Sequence, residues 1–139
     1  MKYDADAEVI SMNATLPDSS YAGWGWGSSM VNTEMVIFVA NGDSSSATTY
    51  YSSDKSEPEL QSSMQSCYTT SVTKKDDGNV EIMTTRPLDC GIANSYAVTL
   101  DTDLSLISAW DGSNAKMVYH GKNYLEFTQM FSSDGTCVS

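Results

Sequence analysis

The sequence predicts an all-β protein, an antiparallel immunoglobulin-like β-sandwich formed by one chain of 139 residues. Two observations lead to this prediction. Short alternating or β-branched runs follow one another between turn residues, and no long stretch has the period of a helix. An Asp-Gly pair also stands between two alternating runs, which is a strong indication of a β-hairpin. The length suits one core, so residues 1–139 are expected to form a single domain.

Two strands are predicted before the hairpin. Residues 35–41, MVIFVAN, are a continuous apolar run, as expected of a strand buried on both faces. A Gly-Asp pair follows and ends this strand. Residues 46–53, SATTYYSS, are rich in β-branched and aromatic side chains, which pack well on a pleated surface.

The hairpin and three further strands account for most of the rest. Residues 66–75 and 80–88 are the predicted arms of the hairpin, with DDGN at its turn. Residues 95–100, SYAVTL, and residues 104–110, LSLISAW, read as two strands separated by DTD. The last predicted strand is residues 123–131, NYLEFTQMF, in which Leu125, Phe127 and Phe131 share one face.

The charge of the chain limits its partners. Eighteen Asp and Glu residues stand against seven Lys and Arg, which gives a formal net charge of -11. Phosphate backbones and anionic membranes repel such a chain, so nucleic acid is not an expected partner. A cationic patch on another protein is a more natural one. The sequence has no apolar run of about 18 residues, so we expect no insertion into a membrane.

The three cysteines are Cys67, Cys90 and Cys137, an odd number that leaves one free or paired outside the chain. Cys67 and Cys90 flank the predicted hairpin, so a disulfide between them is preferred to a bridge to Cys137. No C-x-x-C occurs, which argues against a zinc ribbon, a thioredoxin-like site and covalently attached haem. A disulfide, the Ser- and Thr-rich composition and the glycosylation sequon at Asn13 favour an extracellular or otherwise extracytoplasmic location.

Common catalytic motifs are missing. His120 is the only histidine, and no G-x-S-x-G is present to supply the nucleophile of a Ser-His-Asp triad. A zinc site would depend on one histidine with carboxylates and cysteines at no recognised spacing. Acidic residues are frequent, but no pair is marked as the two carboxylates of a glycosidase. No catalytic residue is predicted, and the sequence leaves open whether the chain is an enzyme.

Met30 and His120 are the residues with a possible metal role. Thioether sulfur and imidazole nitrogen together are a known axial ligand pair of haem iron. Met30 follows the Gly/Trp run at residues 23–27 and stands at the start of the apolar strand. The residues alone leave a simpler interpretation open, in which Met30 is one of eight methionines filling a gap in the core and His120 is a turn residue before Gly121.

Five segments, taken in order, carry a resemblance to a known family: YAGWGWGSSMVNTEMVIFVANGD, ATTYYSSDKSEPEL, VEIMTTRPL, LISAW and VYHG. Together they resemble the DOMON family, and most of all its haem-binding cytochrome domains of the cellobiose-dehydrogenase type, over roughly residues 8–131. In those domains a Gly/Trp strand runs into a loop that carries the methionine ligand, and the histidine ligand precedes the last strand. The resemblance therefore implies haem b held by Met30 and His120. Met35 and Met117 are rivals for the sulfur position.

The resemblance also implies the surroundings of the haem. Aromatic side chains would wall the porphyrin, although each of them is more often a simple part of a sandwich core; they are Trp24, Trp26, Tyr50, Tyr51 and Trp110. Donors to the haem propionates would come from Arg86, Lys116 or Lys122.

Two strong axial ligands leave the iron no open position, which favours one-electron transfer over chemistry at the metal. The implied function is an extracytoplasmic b-type cytochrome domain that exchanges electrons with a redox protein, namely a flavin dehydrogenase domain, a copper oxygenase or a membrane cytochrome. One alternative is a haem-free sugar-binding module of the same fold, using Trp24 and Trp26. Another is a structural β-sandwich subunit of an adhesion or filament protein. The oligomeric state is not predicted.

Overall fold

The computed structural model describes residues 1–29, 31–54, 58–111, 124–135 and 137–138, the last two by their backbone. In chain order its elements are β1 Lys2–Asp4, β2 Val9–Pro17, β3 Ser20–Trp26, β4 Thr33–Ala40, a 3-10 turn Gly42–Ser44, β5 Ser46–Ser52, β6 Glu59–Leu60, α1 Ser62–Gln65, β7 Thr69–Lys74, β8 Asn79–Pro87, β9 Leu104–Asp111, β10 Tyr124–Phe131 and β11 Cys137–Val138.

The strands form two antiparallel sheets, which confirms the predicted fold class. The smaller sheet has the order β1-β2-β8-β7, and the larger has the order β11-β10-β9-β3-β4-β5-β6. The predicted hairpin is β7–β8, in which Thr69 pairs with Thr85 and Lys74 with Val80. Gly78 in its turn has φ +84, a conformation that glycine adopts without strain.

The core lies between the sheets and follows from strand alternation. Ile10 and Ile82 of the smaller sheet are fully buried. The side chains of Val36, Phe38 and Leu106 of the larger sheet are at most 1% exposed. In β4 every residue except Val39 is buried, so both faces of this strand are covered as the apolar run predicted. The larger sheet therefore has buried side chains on its outer face as well as on the face that packs on the smaller sheet.

The strand predicted for residues 95–100 is wrong. This segment has no regular structure, although Val98 is buried and its N–H donates to the carbonyl of Leu88 at 2.8 Å. The reason is visible at Tyr96, whose backbone N–H and carbonyl bond to the side chains of Glu34 and Arg86 rather than to a neighbouring strand. Charged side chains have taken the place of a strand partner.

The predicted disulfide is confirmed. Cys67 and Cys90 are bonded, with their Cα atoms 5.8 Å apart. The bond closes the open end of the β7–β8 hairpin and ties the start of the irregular segment after β8 to the chain before β7. The side chain of Cys137, in β11, lies outside the described residues.

Removal of this disulfide should lower the free energy of unfolding. For a sequence separation of 23, loop closure in the unfolded chain corresponds to about 3 kcal/mol. We therefore expect Cys67→Ala/Cys90→Ala to unfold at clearly lower urea concentration than wild type, with Cys137→Ala as the matched control. Peptide mapping of the non-reduced protein checks the pairing, and a Cys67–Cys137 peptide would contradict it.

Candidate functional site

The outer face of the larger sheet carries an apolar strip centred on β3. Trp24 and Trp26 point into the sandwich, so alternation leaves Gly23 and Gly25 on the outer face. The register sets each glycine between two apolar neighbours: Gly25 lies between Met35 and Ile107, and Gly23 between Ile37 and Ala109. These six residues, Gly23, Gly25, Met35, Ile37, Ile107 and Ala109, are called the outer strip below.

The two glycines are required by the close approach of their neighbours. A Cβ on Gly25 would lie 2.8 Å from Cγ1 of Ile107 and 2.9 Å from Cγ2 of Thr33, and a Cβ on Gly23 would lie 3.3 Å from Cγ1 of Ile37. Because the glycines have no side chains, the flanking side chains can close over β3. Met35 and Ile37 are buried there, at 8% and 6% exposure. The result is an apolar strip three strands wide, in which Gly25, Met35 and Ile37 are buried and Gly23, Ile107 and Ala109 are partly exposed.

The segments that carry Met30 and His120 are attached at opposite ends of this strip. The segment with Met30 joins the end of β3 to Thr33 at the start of β4. The segment with His120 follows Asp111, which pairs with Tyr21 near the start of β3. Met30 and His120, like the rival Met117, lie outside the described residues, so their roles as ligands stay predictions.

The described part of the Met30 loop, residues 27–29 and 31–32, is held by the start of β4. The hydroxyl of Thr33 is 2.6 Å from the carbonyl oxygen of Ser29 and 3.1 Å from that of Val31. The N–H of Val31 in turn donates to Oγ of Ser29 at 3.2 Å. Asn32 has φ +51 and accepts a hydrogen bond from the hydroxyl of Tyr51 at 3.3 Å.

The structure separates the five aromatic residues that were predicted to wall the porphyrin. Trp24 packs edge-on against Phe38, with ring centroids 5.2 Å apart, and Trp26 is 2% exposed inside the sandwich. Tyr51 pairs with Glu34 and so lies on the inner face, whereas Tyr50 pairs with Met35 and lies on the outer face beside the strip.

Trp110 pairs with Ala22, which puts it on the same face as Trp24, and it is 40% exposed. Only Tyr50 of the five therefore borders the outer strip, and contact of any of them with a cofactor stays a prediction.

A buried ion pair, which the sequence analysis did not predict, joins the two sheets. Arg86 of β8 and Glu34 of β4 have side chains that are 0% and 1% exposed, and Nη1 of Arg86 lies 3.1 Å from Oε2 of Glu34. This is a charge contact rather than an aligned hydrogen bond. The same carboxylate accepts hydrogen bonds from the hydroxyl of Tyr68 and, at 2.8 Å, from the N–H of Tyr96.

Backbone and aromatic groups complete the surroundings of the arginine. Nη2 of Arg86 donates to the carbonyl of Tyr96 at 2.6 Å, and its guanidinium carbon lies 5.1 Å from the ring centroid of Trp26. Trp26 also stacks on the ring of Tyr96 at 5.8 Å. Arg86 is thus engaged inside the sandwich, which leaves Lys116 and Lys122 as the remaining predicted donors to haem propionates; both lie outside the described residues.

Two further features are absent from the described part of the chain. No three His, Cys, Asp or Glu side chains within it are grouped as a metal site. Among the same residues, no helix has the length and apolar character needed to cross a membrane.

Loss of Arg86 should destabilise the protein strongly. Arg86→Met leaves the Glu34 carboxylate buried without its cation, and removal of one partner of a buried pair costs about 3–5 kcal/mol. Arg86→Met/Glu34→Gln should recover part of this loss because no buried charge remains. Lys74→Met, at the exposed pair of Lys74 with Asp43, is the control and should have a much smaller effect. Urea unfolding measures all four proteins, and equal losses in both arginine variants would contradict the role of the unpaired carboxylate.

The buried phenol of Tyr68 should make the protein sensitive to alkali. Burial raises the pKa of Tyr68 above its ordinary value of 10.0, and the neighbouring Glu34 carboxylate raises this pKa further. Above pH 10 the unfolded chain loses this proton and the folded one keeps it. The free energy of unfolding should then fall by about 1.4 kcal/mol per pH unit because of this residue.

Tyr68→Phe should remove this contribution, so that its stability declines less steeply above pH 10 than that of wild type. Tyr124→Phe, at a tyrosine that is 58% exposed, controls for the loss of a phenol. Urea unfolding between pH 9 and pH 11 supplies the comparison, and parallel declines in Tyr68→Phe and wild type would rule the effect out.

Two solved structures of similar fold are both cytochrome domains. The cytochrome domain of Myriococcum thermophilum cellobiose dehydrogenase has a TM-score of 0.64 and 11% identity, with 91% of this chain and 67% of that chain covered. The cytochrome b domain of pyranose dehydrogenase from Coprinopsis cinerea has a TM-score of 0.65 and 14% identity, with 92% and 72% covered. At these identities the similarity establishes the fold.

The sequence comparisons identify the family. No curated protein matches this chain in sequence. The family model of the DOMON domain matches residues 1–111, a range that includes Met30 and ends before His120. Since this match covers well over half of the chain, the resemblance seen in the sequence is confirmed, and the protein belongs to the DOMON family.

Proposed function

We propose that this domain is a b-type cytochrome that binds one haem b at the outer strip and passes single electrons between redox proteins. The observation that carries the proposal is the outer strip itself, a row of apolar residues and glycines three strands wide, with the segments of Met30 and His120 attached at its two ends. Membership of the DOMON family and a fold shared with two cytochrome domains support it.

The described residues fit a flat macrocycle. Gly23 and Gly25 carry no side chain that would stand up from the middle of the sheet, and at Gly25 the side chains of Ile107 and Thr33 already close over the backbone, 2.8 and 2.9 Å from where a Cβ would lie. Met35 and Ile37 offer apolar surface on one side of the glycines, and Ile107 offers it on the other. Such a surface excludes water from one side of a bound group and supplies no competing polar ligand.

Met30 and His120 are the proposed axial ligands. A haem held by both would have no open coordination position and would carry one electron at a time. Thioether sulfur in place of a second imidazole favours the reduced state and so raises the reduction potential. The chain has one histidine and no C-x-x-C-H motif, so the proposed attachment is non-covalent.

The proposed partners are redox proteins outside the cytoplasm. The Cys67–Cys90 disulfide is of the kind that persists in oxidising compartments. A net charge of -11 favours a partner with a cationic patch, because opposite charges speed the encounter of two proteins. The proposed classes are a flavin dehydrogenase domain, a copper oxygenase and a membrane cytochrome.

The sugar-binding alternative relied on Trp24 and Trp26 as surface aromatics. Trp26 is 2% exposed and stacked on Tyr96, and Trp24 packs on Phe38. The ring of Trp26 is therefore not available to stack on a sugar, and that of Trp24 is partly buried, so the described structure does not favour this alternative.

Visible absorption spectra of the protein supplied with haem test the proposal. Wild type should give the bands of low-spin, six-coordinate haem in both oxidation states. His120→Ala should lose most of its haem, because no second imidazole is available in the chain. Met30→Ala should open one coordination position and retain more haem than His120→Ala. Met30→His should stay six-coordinate with a lower reduction potential.

Met83→Ala is the matched control, since Met83 is 40% exposed on the smaller sheet. It should leave spectrum and potential unchanged. A wild type without low-spin bands would overturn the cytochrome proposal. A thioether-ligated spectrum in Met30→Ala would instead move the sulfur ligand to another methionine, with Met35 next in line.

A further inference from the structure

We propose that Thr33 is a positioning residue that sets the Met30 loop, residues 27–32, for ligation. The inference rests on the proposed function and extends it to a residue that is not itself a ligand. Thr33 is the first residue of β4, is 1% exposed and lies on the outer face of the sheet, at the end of the outer strip.

The hydroxyl of Thr33 acts on the backbone on both sides of residue 30. It is 2.6 Å from the carbonyl oxygen of Ser29 and 3.1 Å from that of Val31, and its single proton goes to one of them at a time. The shorter distance makes the Ser29 carbonyl the main acceptor. Ser29 and Val31 are also joined to each other through the serine hydroxyl. The Thr33 hydroxyl therefore holds the carbonyl immediately before the proposed ligand and lies beside the carbonyl immediately after it.

The methyl group and the hydroxyl of Thr33 lie next to different glycines. A Cβ on Gly25 would lie 2.9 Å from the Thr33 methyl carbon, and a Cβ on Gly27 would lie 3.1 Å from its hydroxyl oxygen. The two branches of this side chain thus lie over two successive glycines on one face of the chain. Valine would keep the shape and lose the hydrogen bond, whereas serine would keep the hydrogen bond and lose the methyl contact.

This division gives Thr33→Val and Thr33→Ser as a diagnostic pair. Thr49→Val is the matched control, because Thr49 is fully buried on the neighbouring strand and its hydroxyl donates to the carbonyl of Gln61 at 2.8 Å, away from the loop. All three variants are compared with wild type in the haem-free and the haem-loaded protein.

Amide hydrogen exchange of residues 27–32 is measured first, on haem-free protein. Loss of one neutral hydrogen bond should raise exchange in this loop by about fivefold in Thr33→Val. Thr33→Ser and Thr49→Val should stay near the wild-type rate. Equal exchange in Thr33→Val and wild type would overturn the inference.

The spectrum of the haem-loaded protein is the second readout. Thr33→Val should show a larger high-spin fraction and a shifted reduction potential, because the thioether is held less firmly, and Thr33→Ser should restore the wild-type spectrum. A spectral change in Thr49→Val as large as in Thr33→Val would overturn the inference by assigning the effect to general loss of stability. A wild type that binds no haem would overturn the proposed function, whereas normal haem binding with unchanged loop exchange in Thr33→Val would overturn the positioning role alone.

Discussion

The ion pair of Arg86 and Glu34 is the contact on which the rest of the sandwich depends. Two charges are withdrawn from water between the sheets, and such a pair is tolerated only when further hydrogen bonds satisfy both groups. Tyr68 and Tyr96 donate hydrogen bonds to the carboxylate, and the guanidinium donates one to the carbonyl of Tyr96. The pair therefore joins β4 to β8 and replaces a strand partner for the segment after β8. Attractive charge and several hydrogen bonds act at one point, where Nε and Nη1 of Arg86 have no hydrogen-bond partner among the described residues, while the apolar core is spread along the strands.

The position of this pair has a consequence for the opposite face of the same strand. Glu34 and Thr33 are consecutive at the start of β4, so their side chains point to opposite faces of the sheet. Glu34 anchors the strand to the smaller sheet, and Thr33 holds the loop that precedes the strand. The start of β4 is thus fixed on its inner face by the ion pair of Glu34. On its outer face the hydroxyl of Thr33 holds the Met30 loop. A substitution at Arg86 is therefore expected to disturb the Met30 loop, because only the backbone of Thr33 and Glu34 separates the ion pair from that loop.

Local pattern predicted the parts of this fold that local forces determine. Alternation and the Asp-Gly turn predicted β7 and β8, and the cysteines beside that hairpin predicted their own pairing. The strand predicted for residues 95–100 does not form. The segment places Val98 in the core, as an alternating strand would, but its backbone is bonded by side chains from distant strands. The one signal for that arrangement is a charged residue, Glu34, placed directly before an apolar run, together with a single arginine in the chain. Neither signal says that the two charges meet, since that depends on how the sheets stack.

The Gly/Trp run at residues 23–27 is where fold and proposed site come from the same residues. Alternation sends the tryptophans to one face and the glycines to the other, so the bulk that fills the core is removed from the outer face. From the sequence alone both tryptophans are candidates for a cofactor wall, because aromatic rings suit that role. Trp26 is buried against Arg86 and Tyr96, and on the outer face this strand leaves glycine backbone over which the apolar neighbours close. Glycine at alternate positions removes side chains from one face of a strand only, and the period of two decides which face that is.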